Sequence, residues 1–394
     1  MNKSCKNIIN ISLFFYLILS IFLLIFKSTK EIDFSISEIL VNYNGGIIAR
    51  GFLGHLIFNI KQFLDVDLVK LALTFQIFFS TVYTFLLYKI FNNKNLSITK
   101  LDVLIFLLPT LLFFPIYEIE GLGRKEILIF ITFSYLILQN GVPNKITTLI
   151  YSLIILPALV LSWELTVLYF PYYFIVFWTK YRVMRLLDSF KIFIIFIPGL
   201  LAFFVLWLNP PDQNTLDIMC ETINCLGRSA ELENFNIHFA HFNYVHDKAS
   251  FINYLRFLIF FIISYIPIYL YLKRINILKI NFFIINKIPN LNYLFFLIII
   301  PQLMIFIFAL DWGRYLNILI TMTYLFLIFL RTSNLIPNIN EFKIFNLKEK
   351  YINFIIIIYC FSWYPKLLLW YDTGSFPLLR LINRIKEIII SLII

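Results

Sequence analysis

Four arginines in this chain sit beside a glycine: Arg50-Gly51, Gly123-Arg124, Gly227-Arg228 and Gly313-Arg314. A cation next to a residue without a side chain lets a phosphate or a sugar come close to the backbone. Gly121-Leu122-Gly123-Arg124-Lys125-Glu126 places two cations just ahead of an apolar run. Glycines before a helix start leave amides free to point at an anion, and the helix dipole favours negative charge there. Asp311-Trp312-Gly313-Arg314-Tyr315 packs an acid, an indole and a guanidinium into one tight connection. Its acid either pairs with Arg314 or serves chemistry, and Trp312 offers a flat face of the kind that stacks on a sugar ring.

Carboxylates complete the set. Trp163-Glu164 lies between two apolar runs with almost no loop. Partial burial makes a carboxylate more basic, so Glu164 reads as a candidate general base; the alternative is a side chain reaching for headgroups. Asp311 is a second candidate for that role, and Glu38 is a third. Glu118 and Glu120 precede the Gly-Arg-Lys turn and would pair with its cations or accept hydrogen bonds from sugar hydroxyls. His238, His241 and His246 lack the glutamate of a His-Glu-x-x-His zinc site, and their spacing suits no standard metal centre. We expect neither metal nor cofactor.

The elements that position these residues must be membrane spans. Hydrophobic residues make up 61% of the chain and charged residues 14%, against roughly 25% charged in a soluble domain. Apolar runs recur near 8–26, 68–90, 103–117, 126–139, 146–162, 165–179, 190–208, 251–272, 291–310, 315–330 and 351–370. Most are long enough to cross about 30 Å of hydrocarbon. The expected fold is all-α: a polytopic membrane bundle of about 11–12 helices, with residues 1–394 as a single integral membrane domain. Residues 377–394 read either as a last span or as an interfacial helix.

The net charge of +11 has a topological cause and does not point to nucleic acid. With the N-terminus inside, inner segments hold 18 Lys/Arg against 4 Asp/Glu. Outer segments hold 15 against 18, counting Arg256 and the C-terminal tail as outer. Basic residues mark cytoplasmic loops, clearest here in 180–191 and 273–287. All four Arg-Gly pairs then fall on the outer side. The first span ends in Lys27-Ser28-Thr29-Lys30, without a small-x-small cleavage site, and reads as an uncleaved anchor. Cys220 and Cys225 share an outer loop, where either a disulfide or two free thiols is expected.

Two outer segments are long, 27–67 and 209–250. The first has helical spacing from Gly45 to Phe58, which puts Gly46, Arg50 and Gly54 on one face and Leu53, Leu56 and Ile57 largely on another. It reads as an amphipathic helix at the outer interface. The second carries Asp212, Asp217, Glu221, Arg228, Glu231 and Glu233 and reads as a lid or small outer subdomain.

Asn42-Tyr43-Asn44-Gly45-Gly46 through Arg50-Gly51-Phe52-Leu53-Gly54 resembles an Asn-x-Gly-Gly-x-x-Arg-Arg-Gly-Leu-x-Gly pattern of bacterial O-antigen polymerases. The Gly-Arg-Lys-Glu and Asp-Trp-Gly-Arg turns look like later landmarks of the same group. The likeness runs from about residue 38 to 315 through short motifs only. Ala49 stands where the pattern has its first arginine, and Trp163 where it has a histidine. The architecture is also similar to C-type glycosyltransferases, which use lipid-linked donors at an outward-facing site.

The resemblance implies a polymerase that moves a glycan from a polyprenyl diphosphate to a lipid-linked repeat unit on the periplasmic face of the inner membrane. Glu164, Asp311 and Glu38 would be its catalytic carboxylates. Arg50, Gly123, Arg124, Lys125, Glu126, Glu120, Trp312 and Arg314 would hold the diphosphate and sugars. Its partners would be polyprenyl-diphosphate-linked oligosaccharides, membrane lipid and a chain-length regulator protein. The alternatives are a single-sugar C-type transferase and a flippase or transporter of lipid-linked glycans.

Overall fold

The computed structural model describes residues 3–29, 34–139, 141–181, 186–210, 212–223, 249–277, 291–309, 311–336 and 349–368, with five isolated positions beyond 380. Arg228, Cys225, the three histidines of 238–246 and most of 377–394 lie outside these, as do the Cys220–Cys225 bridge and most of the 209–250 lid.

Among the described residues every regular element is a helix. Five are long and apolar enough to cross a membrane: Ser4–Ser28, Leu68–Phe91, Lys145–Ser162, Phe251–Lys273 and Trp312–Thr332. Three shorter apolar helices accompany them, Ile127–Leu138, Ile197–Leu208 and Leu294–Ile307. There are thus fewer long helices than apolar runs in the sequence.

Proline accounts for much of the difference. The 103–117 run splits into Lys100–Phe106 and Phe114–Tyr117, with Pro115 opening the second piece. The 165–179 run is a 3₁₀ stretch, Glu164–Tyr169, followed by Phe170–Lys180 with Pro171 in its first turn. The 190–208 run breaks between Leu186–Ile194 and Ile197–Leu208, again with proline, Pro198, in the new first turn. Proline fits a helix start because its missing N–H would be unpaired there anyway, whereas mid-helix it removes a bond. The 351–370 run ends as a helix at Phe361, ahead of Pro365.

Trp312–Thr332 is the central helix, with protein packed on every side. Its one N-terminal and one C-terminal arginine, Arg314 and Arg331, are both buried. Seventeen residues at 1.5 Å each set them roughly 25 Å apart. Each lies in its own cluster of charges, at opposite ends of the bundle.

At the C-terminal end, Arg331 forms a buried ion pair with Asp102. Asp102 also accepts from the Thr99 amide at 2.7 Å and its hydroxyl at 2.8 Å, which makes it half of a capping box. Tyr324 Oη lies 3.4 Å from Asp102 Oδ1, and the Tyr271 ring lies under the guanidinium at 5.3 Å. The pair ties Lys100–Phe106 to the central helix.

The segment 27–67 departs from its reading as one helix over 45–58. Gly45 and Gly46 form a bend, and the helix runs from Gly51 to Leu64. Arg50 is its N-cap residue, in the left-handed region at φ 67°. Gly46, Arg50 and Gly54 therefore do not share a helix face. Leu53 and Ile57 are buried, and Leu56 is exposed. Gly54 allows close packing: a Cβ there would stand 2.0 Å from the Val41 carbonyl. The segment from 209 meets the one at 34–64, because helix Gln213–Ile223 lays Thr215 against Gly45 and buries Met219 in the same apolar cluster.

Candidate functional site

Seven of the charged residues singled out above converge at the end where the central helix begins. Glu38 projects from a short helix, Phe34–Leu40, and is 1% exposed. It is the hub. Its Oε1 lies 3.4 Å from Arg50 Nη1 and 3.9 Å from Arg314 Nη1, and its Oε2 lies 3.4 Å from Arg124 Nη1. One carboxylate thus faces three guanidiniums drawn from three separated segments.

The other carboxylates surround this centre. Glu164 accepts from Arg50 Nη2 at 3.0 Å and Nε at 3.2 Å. Asp311 Oδ2 bridges Arg124 Nη1 at 3.3 Å and Arg314 Nη1 at 3.1 Å. Glu126, just ahead of helix Ile127–Leu138, stands 3.6 Å from Arg314 Nε. An acid at a helix N-terminus also suits the dipole. Burial alone would lower the Arg50 pKa, but Glu164 and Glu38 outweigh it and hold the pKa above its ordinary value. The guanidinium stays charged.

Glu164 is therefore no lone carboxylate: Arg50 holds it in three hydrogen bonds, two from Nε and one from Nη2. Arg124 does not open a helix, since the helical turn starts three residues later. Its Nε donates to the Glu120 backbone carbonyl at 2.7 Å, while the Glu120 side chain is exposed. The Lys125 ammonium reaches the Arg50 carbonyl and joins the two segments through the backbone. Gly123 is left-handed at φ 80°, and a Cβ there would strike the Gln76 amide at 2.6 Å. Glycine is required here for packing against Gln76, whose Nε2 donates to the Gly123 carbonyl at 3.0 Å. Trp312 is edged by Tyr254, Phe257 and Phe306, with ring centroids 5.4–5.7 Å apart, and wedges helices together. Trp163, where the resemblance has a histidine, stacks on Tyr315 and lies 5.7 Å from the Arg314 guanidinium.

Sequence reasoning missed several supports. Lys27 is buried and donates to Ser35 Oγ at 2.9 Å and to the Ile119 carbonyl at 2.8 Å. It pins the Gly-Arg-Lys turn to the end of the first helix. The segment after Phe361 crosses the Asp-Trp-Gly-Arg turn: the Gly313 amide donates to the Leu367 carbonyl at 3.1 Å. Lys366 faces Glu118 at 3.9 Å. The helix stop at Pro365 was the available signal for this crossing segment. A Cβ on Gly313 would stand 1.9 Å from the Lys366 carbonyl. Gly313→Ala is therefore expected to destabilise the folded chain by about 1–3 kcal/mol, through forced displacement of the crossing segment. Thermal unfolding in detergent measures this, and an unchanged midpoint would show that the crossing is not tight.

Beneath the cluster lies a cavity of about 30 Å³, lined by Ser80, Tyr83, Asn317, Thr321, Arg124 and Glu126. That is room for a few waters. Asp311, Glu164 and Arg50 are the more exposed members of the cluster. The described residues contain no group of His, Cys, Asp and Glu arranged to hold a metal. The chain matches no family model, no characterised protein and no solved structure.

Proposed function

We propose that the chain is a glycan polymerase of the bacterial inner membrane, acting on lipid-linked repeat units at the periplasmic face. The observation that carries this reading is the convergence of Arg50, Arg124 and Arg314 on one buried set of carboxylates at one end of an apolar helix bundle. Charges so placed in a membrane protein are costly and mark function. In the reaction, an acceptor sugar hydroxyl attacks the anomeric carbon of the donor glycan. The new C–O bond forms as the bond to the polyprenyl diphosphate breaks, and the diphosphate leaves with the electron pair. Arg124 and Arg314 stabilise that negative charge, with Arg50 in support. Glu164, the carboxylate farthest from those two arginines in the pairing pattern, takes the hydroxyl proton. No nucleotide is needed, because the donor arrives on lipid. A chain-length regulator is the protein partner expected for such an enzyme.

The central helix, with a buried charge cluster at each end, favours one other reading, a transporter of lipid-linked glycans gated at both faces. The surface glycan of a deletion strain separates the two. Chains of a single repeat unit are expected for a lost polymerase. Complete loss of the glycan would point to the transporter or to a single-sugar transferase.

Sidedness is checked separately. In a chain freed of its own cysteines, a cysteine at exposed position 65 is expected to react with an impermeant thiol reagent in intact cells. One at exposed position 94 is expected to react only after permeabilisation. The reverse pattern would turn the charge cluster to the cytoplasm and remove a periplasmic polymerase from consideration.

A further inference from the structure

We propose that Asp311 holds the place of a phosphate in the unliganded site, and that ligand binding exchanges it out of the fork between Arg124 and Arg314. This rests on the diphosphate reading above and adds how the site opens to that ligand. A single oxygen, Asp311 Oδ2, lies 3.3 Å from one guanidinium and 3.1 Å from the other. A bridging phosphate oxygen would occupy the same position.

Three observations make Asp311 the exchangeable member. It is the most accessible of the four carboxylates, with its side chain 19% exposed against 12% for Glu164, 8% for Glu126 and 1% for Glu38. Its hold is imperfect. Arg314 Nε and Nη1 are buried yet make no aligned hydrogen bond, and the Arg124 contact exceeds the usual 2.7–2.9 Å of charge-assisted bonds. It also has a second position ready. Asp311 is the N-cap residue of Trp312–Thr332, where an aspartate ordinarily accepts from an amide of the first turn, yet its side chain makes no such bond here. Rotation from the fork to the cap trades two cations for the helix N-terminus.

Charge balance calls for such a device. Arg50, Arg124 and Arg314 face Glu38, Glu126, Glu164 and Asp311, and moving Asp311 out of the fork removes one negative charge from beside the two guanidiniums that a diphosphate would meet. Its departure opens the position between two guanidiniums that are 2–3% exposed and that Glu38 and Glu126 still hold in place.

The test uses the full-length protein in detergent, with polyprenyl diphosphate lacking sugar as the probe and binding read by titration. Asp311→Asn is expected to bind about tenfold more tightly than the native chain, because the competing charge is gone. Asp311→Ser, which keeps a good N-cap residue, is expected to do the same and covers the case in which the asparagine variant fails to fold. Inorganic pyrophosphate should compete in all three proteins, which distinguishes recognition of the diphosphate from partition of the lipid tail. Native binding with equal or weaker binding by both variants would overturn the exchange while leaving the diphosphate reading intact. Absence of binding by the native chain and both variants would overturn the diphosphate reading and the exchange with it.

Discussion

Replacing Arg124 or Arg314 by lysine is expected to lower glycan transfer about a hundredfold or more, with the protein inserted at its normal level. Lysine keeps the charge but loses the planar fork that meets two oxygens at once. Arg124 uses its fork to reach the Glu120 carbonyl, Glu38 and Asp311 together. Arg314 spans Glu126, Glu38 and Asp311 and lies over Trp163 and Tyr315. An ammonium reproduces neither set. Lys94→Ala, at an exposed position away from the cluster, is the control and should leave transfer unchanged. The readout is glycan chain length in a complemented deletion strain, with membrane protein measured by blot. Full-length glycans from both lysine variants at normal expression would remove these arginines from the chemistry.

The second large effect concerns the opposite end of the central helix and stability. Asp102→Ala leaves Arg331 buried without its carboxylate and should destabilise the chain by about 3–5 kcal/mol. The loss has a second part, because Asp102 also closes the cap of Lys100–Phe106 through Thr99. Changing both partners, Asp102→Asn with Arg331→Leu, should recover much of the loss, since no lone charge remains and the asparagine carbonyl can still accept from the Thr99 amide. Thermal unfolding of the purified chain measures both variants. An Asp102→Ala protein as stable as the native one would mean that the pair contributes nothing to the bundle.

The charged residues of the site were legible in the sequence for a physical reason. A charge between apolar runs has few favourable places other than beside an opposite charge, so Arg50, Arg124, Glu164, Asp311 and Arg314 had to find partners or water. Which partner each finds was not legible. Glu38 reads as one acid in an outer segment, and nothing near it signals that three arginines from positions 50, 124 and 314 will surround it. Local periodicity says nothing about pairing across hundreds of residues, and the same holds for Asp102 and Arg331. The apolar runs located the helices but not their breaks, although Pro115, Pro171 and Pro198 marked them. Helical spacing over 45–58 also misled, because the left-handed Arg50 caps the helix and keeps residues 45–50 out of it, so that it starts at Gly51.

The most direct test of the central claim is reconstitution. Full-length protein in lipid bilayers is supplied with polyprenyl-diphosphate-linked repeat units, and the lipid-linked products are followed by mass. The account predicts glycans of two or more repeat units on a single lipid, one polyprenyl diphosphate freed for each new bond, and loss of both in Arg124→Lys. Movement of the lipid-linked unit across the bilayer with no new glycosidic bond would contradict it and make the chain a transporter.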